Sequence, residues 1–335
     1  MLGGLALKNT HTRRCTREEF DLFSSEIRSK LVGHVMDTAI PLFFKSKDSF
    51  GDIDLICCVD KDSNTNIGDL ITKLFSPNEI FHNGNCWSFD YKEIQVDFIK
   101  TSPDDFYTNQ MYLSYNDLGN FIGRLAQSFG LKYGQEGLWY KHKFKGSYIG
   151  SISISKDYDR IYNFFDLDFS KWEKGFDSLE EIFEFIYQSK FFNQDNFQLS
   201  QLNKINRDRN AKRKSYMSFL EWMDKQPKKE YTFDTVENYV DVIDKAFPEA
   251  NLIENIRRLE YEYCKGLYIK SKFNGGEVMR RFGLQGKELG DSLNDFKEQI
   301  TYKYALTYDT FEEYILGAPK QIIYNDFEEM LNNKL

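Results

Sequence analysis

Proline is scarce in this chain, six residues in 335, and no low-complexity tract accompanies it. That pairing argues against extended disorder. Long apolar runs are missing too. The best of them, such as Leu55 to Val59, fall far short of the ~20 residues a membrane-spanning helix requires. The opening Met1-Leu-Gly-Gly-Leu-Ala-Leu-Lys8 lacks both a basic n-region and a long apolar h-region, so a cytoplasmic protein without a membrane partner is expected. The four histidines are scattered. The five cysteines (Cys15, Cys57, Cys58, Cys86, Cys264) show no CxxC or Cys/His spacing, which argues against a zinc site and fits reduced thiols. Positive charge is in deficit: 44 Lys and Arg against 52 Asp and Glu, a net charge of −8. Broad, non-specific attraction to nucleic acid is disfavoured, although a local basic groove is not.

Aromatic side chains, by contrast, are plentiful, with 30 Phe and 21 Tyr, enough for generous cores. The length predicts two domains. Thr16 and Glu19 form a capping-box pattern that predicts a helix to about Val35. Ala39 to Phe44 reads as a short strand and Asp52 to Val59 as a strand buried on both faces. Gly68 to Phe75 is short and amphipathic. Trp87 to Tyr91 and Ile94 to Lys100 read as paired strands, Asp117 to Gly130 as a helix, and Leu138 to Ile154 as a hairpin through Lys145-Gly146. Beyond residue 156 the pattern is helical: 157–165, 178–189, 200–224, 234–245, 250–272, 275–283, 287–299 and 308–315. These elements predict an α+β class, a small mixed sheet (residues 1–176) followed by a mainly helical domain (177–335) that would bind an acceptor.

The chemistry is concentrated in Asp52-Ile-Asp54 and Asp97. Carboxylates one residue apart on a strand project from the same face. A third on a neighbouring strand completes an oxygen-rich, histidine-free set suited to two hard cations, and hence to in-line phosphoryl transfer.

In order along the chain, Ser49-Phe-Gly51-Asp52-Ile-Asp54, Ile94-Gln-Val-Asp97 through Pro103, Tyr112-Leu-Ser-Tyr-Asn116 with Asn120 and Arg124, and Ser155 to Asp168 resemble the catalytic core of nucleotidyltransferases related to DNA polymerase β. The resemblance implies two Mg²⁺ ions, with Mn²⁺ as a substitute, held by Asp52, Asp54 and Asp97. Asp97 would also help to deprotonate the attacking hydroxyl. It implies an NTP substrate bound near Lys45, Ser49, Gly51, Tyr112, Asn120 and Arg124. As an alternative, Tyr112 is simply a core residue. The family's Gly-Ser, which holds the triphosphate, is replaced by Pro41-Leu42. Lys45, Ser46, Lys47 and Ser49 can compensate or form a solvated turn; Gly3-Gly4 can fold back as a substitute loop or remain a flexible terminus.

In the helical half, Lys204, Arg207, Arg209, Lys212, Arg213 and Lys214 lie within eleven residues. They read either as a phosphate-backbone track, with Tyr216 for stacking, or as a solvated face. Phe282-Gly-Leu-Gln-Gly286-Lys-Glu-Leu-Gly290 resembles a short element of tRNA nucleotidyltransferases. The expectation is therefore template-independent transfer of NMP to an RNA 3′ hydroxyl. Transfer to a small molecule or protein, a template-directed polymerase and a non-catalytic nucleotide-binding protein are the alternatives.

Overall fold

The structure is a computed structural model that describes Gly4, residues 6–61, Ser63 and residues 65–333. It is mixed α and β, with small sheets and a helical C-terminal region. The chain begins with β1 (Cys15–Thr16) and α1 (Arg17–Leu31). Thr16 caps α1 with the full reciprocal box, its hydroxyl accepting from the Glu19 N–H and the Glu19 carboxylate from the Thr16 N–H. The helix ends four residues before the expected Val35. Val32 leaves helical geometry and Gly33 takes φ +79°, a conformation suited to glycine.

The next elements are β2 (Asp37–Ala39), β3 (Ser49–Phe50), β4 (Asp52–Cys58), α2 (Ile67–Phe75), β5 (Ile80–Asn83), β6 (Cys86–Tyr91) and β7 (Ile94–Thr101). Five of them form one sheet in the order β2-β4-β7-β6-β5, with β4 and β7 parallel and every other pair antiparallel. The expected strand over 39–44 is displaced to Asp37–Ala39. Pro41 has no N–H to give a ladder, and the Leu42 N–H donates to Ser114 Oγ instead, at 2.9 Å. Ile53, Leu55 and Cys57 of β4, with Val96 and Phe98 of β7, point into a core shared with Phe20, Phe23 and Ile27 of α1 and Leu70 and Ile71 of α2. Period-two alternation therefore sends Asp52, Asp54 and Asp97 to the other face.

There follow α3 (Phe106–Leu113), α4 (Leu118–Gln127), β8 (Leu131–Gly134), β9 (Gly137–Phe144) and β10 (Ser147–Ser155). The β9–β10 hairpin turns at Lys145-Gly146, both with positive φ. Helices α5 (Tyr158–Phe164), α6 (Phe169–Lys174), α7 (Leu179–Gln188), α8 (Lys204–Asn210), α9 (Lys214–Met223) and α10 (Val240–Ala246) complete this part. The helix expected over 200–224 is broken at 211–213, where Arg213 is extended and caps α9.

The chain divides into two compact units, Met1–His142 with Ser151–Ile253, and Lys143–Gly150 with Glu254–Leu335. The division differs from the expected one at 176–177, which falls inside the first unit. The reason is packing: Phe121 of α4 meets Phe183 of α7 and Phe219 of α9, with ring centroids 6.2 and 4.3 Å away. Switching from strands to helices does not end a hydrophobic core. The second unit holds most of α11 (Leu252–Lys272), then α12 (Gly275–Phe282), α13 (Gly286–Lys303), α14 (Phe311–Gly317) and α15 (Lys320–Asn332), the last without a counterpart in the sequence reading. Its core joins Phe273, Phe296, Tyr314 and Phe327. No helix among the described residues is long and apolar enough to cross a membrane.

Candidate active site

Strand pairing assembles the carboxylates. In the parallel β4–β7 ladder Asp54 lies directly opposite Asp97, while Asp52 lies opposite Gln95. All three aspartates line a cleft of about 340 Å³ with Ile40, Pro41, Leu42, Phe43, Lys47, Leu113, Asn116 and Arg213. Burial raises the pKa of Asp52, and raises that of Asp54 well above the usual carboxylate range, the Asp54 shift reinforced by the charges of Asp52 and Asp97. Burial pushes Asp97 up to about 6 against hydrogen bonds from Ser88 and Gln95. The Gln95 Nε2 donates to Asp97 Oδ1 at 2.9 Å. Three carboxylates raised by burial, with Asp54 and Asp97 raised further by neighbouring carboxylate charge, are a cation-seeking set.

The donor chemistry fits a hard divalent ion, since all three groups supply oxygen. As they stand, however, no three His, Cys, Asp or Glu side chains among the described residues are close enough together to hold one. Asp97 is still tied to Gln95 and Ser88, so the set is gathered in one cleft without forming a closed cage.

No family profile and no curated protein matches this chain. Among solved structures it is similar to the polymerase beta of Leishmania infantum, solved as a ternary P/T complex. The similarity covers 40% of this chain and 60% of that one, with 14% sequence identity and a TM-score of 0.32. So distant a likeness leaves the site to be argued from its own geometry.

That geometry sorts the other expected residues. Lys45 is outside the cleft lining; exposed, it pairs with Asp177 at 2.5 Å, which raises its pKa. Lys47 enters instead. Its Nζ donates to Asn116 Oδ1 at 3.2 Å and stands 4.8 Å from the Phe50 ring centroid. Burial lowers its pKa, opposed by the charges of Asp52 and Asp54. Ser49 is held by Arg14, whose Nε donates to Ser49 Oγ at 2.8 Å and Nη2 to Ser49 O at 2.7 Å. Arg14 also adds positive field at Asp52. Gly51 gives its carbonyl to the Gly4 N–H at 2.6 Å. Gly4 therefore does fold back, but its N–H is spent on the chain itself; Gly3 lies outside the described residues.

Tyr112 is largely buried with its ring 5.6 Å from that of Tyr133, and it is absent from the cleft lining. Asn120 accepts from Arg209 at 3.2 Å and donates to Asn210 at 3.2 Å. Arg124 donates twice to the Asn196 carbonyl, at 3.0 and 2.6 Å, and also to Gln127. All three are in structural contacts here, not assembled with the aspartates.

All six cations of the 204–214 stretch are exposed. Lys204, Arg207, Lys212 and Lys214 have no ion pair among the described residues, whereas Arg209 turns back onto Asn120 of α4 and Arg213 onto Asp117 just before it. Arg213 reaches the cleft itself and adds positive field at Asp52 and Asp54. Tyr216 is fully buried and donates to the Phe197 carbonyl at 2.7 Å, so it does not offer a stacking face. Nothing in the sequence marks Asp117 or Arg14 for the site, and Asn116 enters only as the end of the Tyr112–Asn116 stretch that carries part of the family resemblance. A left-handed backbone at Asn116 leaves no composition signal, and the arginines find their partners 35 to 96 residues away.

Proposed function

We propose that this chain is a divalent-metal-dependent nucleotidyltransferase that moves a nucleoside monophosphate from an NTP to an RNA 3′ hydroxyl, without a template, and releases pyrophosphate. The observation that carries the reading is the register of Asp54 on Asp97, with Asp52 two residues along on the same face. Asp52 and Asp54 would hold two Mg²⁺ ions (Mn²⁺ substituting) together with Asp97. The metal supplies charge neutralisation on the phosphates and acidifies the attacking hydroxyl. Asp97, raised to about 6, is a suitable acceptor for that proton at the Oδ atom that Gln95 now occupies. The oxygen of the acceptor forms a bond to the α-phosphorus, the bond to the bridging oxygen breaks, and the pyrophosphate leaves with the electron pair. Apolar residues Ile40, Pro41, Leu42 and Phe43 line one part of the cleft.

The RNA acceptor is supported by the exposed cations Lys204, Arg207, Lys212 and Lys214, a surface suited to a phosphate backbone. The short likeness of 282–290 to tRNA nucleotidyltransferases points the same way. Its predicted glycine turn and helix are present, with Gly283 at φ +74° and α13 starting at Gly286.

The test is incubation with each labelled NTP, Mg²⁺ and a mixed RNA pool. Labelled RNA is expected with wild type, and at least a hundredfold less with Asp54→Asn or Asp97→Asn, on the order of the loss seen when a transition-state electrostatic group is removed. Undiminished incorporation by either variant refutes the mechanism. Label entering a small molecule or protein but no RNA refutes the acceptor.

A further inference from the structure

The turn between α3 and α4 meets the cleft at Leu42, Lys47 and Arg213. Tyr115 and Asn116 both adopt left-handed backbone, with φ 59° and 60°. Two successive non-glycine residues in that region are strained, and such strain persists only where the surroundings impose it. Here each member of the turn has a partner. Ser114 Oγ accepts from the Leu42 N–H at 2.9 Å, and the Tyr115 N–H donates to the Leu42 carbonyl at 2.6 Å. Asn116 Oδ1 accepts from Lys47. Asp117, only 4% exposed, accepts from Arg213 Nη1 and Ser215 Oγ.

Four consecutive residues thus fix the Pro41-Leu42 wall and both cations of the cleft. That wall has no main-chain donor to offer an anion at Pro41-Leu42: proline lacks the N–H, and the Leu42 N–H is already used. Lys47 and Arg213 are the only cationic side chains among the cleft-lining residues. Three carboxylates alone would repel a polyphosphate, whereas two fixed cations beside metal-bound carboxylates would attract one.

We infer that Lys47 and Arg213 form a two-cation clamp for the polyphosphate of the incoming nucleotide, and that Asn116 and Asp117 are the positioning residues that aim it. The inference rests on the nucleotidyl-transfer reading for the identity of its ligand. It moves Arg213 from the nucleic-acid track to the nucleotide, and gives the Ser114–Asp117 turn a purpose.

The test is calorimetric binding of inorganic tripolyphosphate with Mg²⁺ to the full chain, alongside KM and kcat for the NTP. Lys47→Met and Arg213→Gln should each weaken tripolyphosphate binding about tenfold or more, the loss of one charge-assisted contact. Both should raise KM more than they lower kcat. Asp117→Asn should weaken binding through Arg213 alone, so the double variant Asp117→Asn/Arg213→Gln should bind no worse than Arg213→Gln. Additive losses in that cycle would overturn the positioning role of Asp117. If Asp117→Asn does not fold, Asp117→Glu, which keeps the charge but displaces the carboxylate, replaces it in the cycle. Unchanged tripolyphosphate affinity in both Lys47→Met and Arg213→Gln overturns the clamp. Tripolyphosphate binding that follows these variants, in a protein that extends no acceptor, supports the clamp while refuting nucleotidyl transfer. Turnover with an unaltered KM in both variants overturns the clamp while sparing the transfer.

Discussion

Replacing Gly119 by alanine would drive a methyl group into the end of α3. A Cβ at that position falls 2.2 Å from the Tyr112 carbonyl oxygen, 3.0 Å from Tyr112 Cδ2 and 3.2 Å from the Tyr112 carbonyl carbon, against ~3.5 Å for ordinary contact. The obstacle is mostly backbone, so no rotamer change relieves it and α3 must move away from α4 by about an ångström. Overpacking of this kind costs ~1–3 kcal/mol, and the rigid partner places Gly119→Ala at the upper end. At ~2–4 °C per kcal/mol for a body of this size, the melting temperature should fall by about 6–12 °C. Gly123, one turn further along the same helix, is the internal control. Its added Cβ meets only the Tyr133 carbonyl, at 3.7 Å, so Gly123→Ala should gain the ~0.5–1 kcal/mol of helix propensity without a clash. Thermal unfolding followed by circular dichroism of the two variants reads the difference. A melting temperature for Gly119→Ala equal to or above that of Gly123→Ala would refute the close approach of α3 and α4, and with it the geometry of the turn between them.

Two further expectations concern the site. Asp97, at about 6, stays neutral in the folded chain between about pH 4 and 6 while its unfolded counterpart ionises. The folded state binds the extra proton there, so this group's stabilisation is complete below pH ~4 and lost as pH rises through ~6. Chelator-treated wild type should therefore lose stability relative to Asp97→Asn across that window, as calorimetry in EDTA would show; parallel stability curves would contradict the buried setting of Asp97. Converting Lys204, Arg207, Lys212 and Lys214 to Gln should flatten the salt dependence of single-stranded RNA binding by about 0.7 per cation lost. Filter binding over a salt series measures the slope, and an unchanged slope would remove the track from the acceptor site.

Much of the fold was legible because local rules dominated it. The capping box at Thr16 and Glu19, the apolar run of β4, the Lys145-Gly146 hairpin and the tight Tyr91–Ile94 connection, with Lys92 and Glu93 at φ 49° and 63°, all follow from neighbours in sequence. Three of the misses share a cause. The strand expected at 39–44 failed because Leu42 found its hydrogen bond 72 residues away, at Ser114. The helix expected over 200–224 broke where Asn210 and Arg213 turned to Asn120 and Asp117. The expected boundary near 176 gave way to aromatic packing of α4 on α7 and α9. In each, a distant partner outbid local propensity, and no periodicity reports such a partner.

The candidate site shows the same split. Strand alternation alone put Asp52 and Asp54 on one face, because the backbone pleat permits nothing else. Their meeting with Asp97 needed the parallel register of β4 on β7, a tertiary fact. Between Lys45 and Lys47 the sequence had no means to choose: one pairs with Asp177 in solvent, the other is drawn between Phe50 and Asn116. Arg213 looked like one cation in a stripe of six until the chain brought it back to Asp117. The sequence by itself determined the carboxylate chemistry, since that depends on residue type and a period of two. Only the tertiary structure decided which cations face it, since a charge acts through distance in space: Lys47 is close to Asp52 along the chain, but Arg213 comes from more than a hundred residues beyond all three carboxylates.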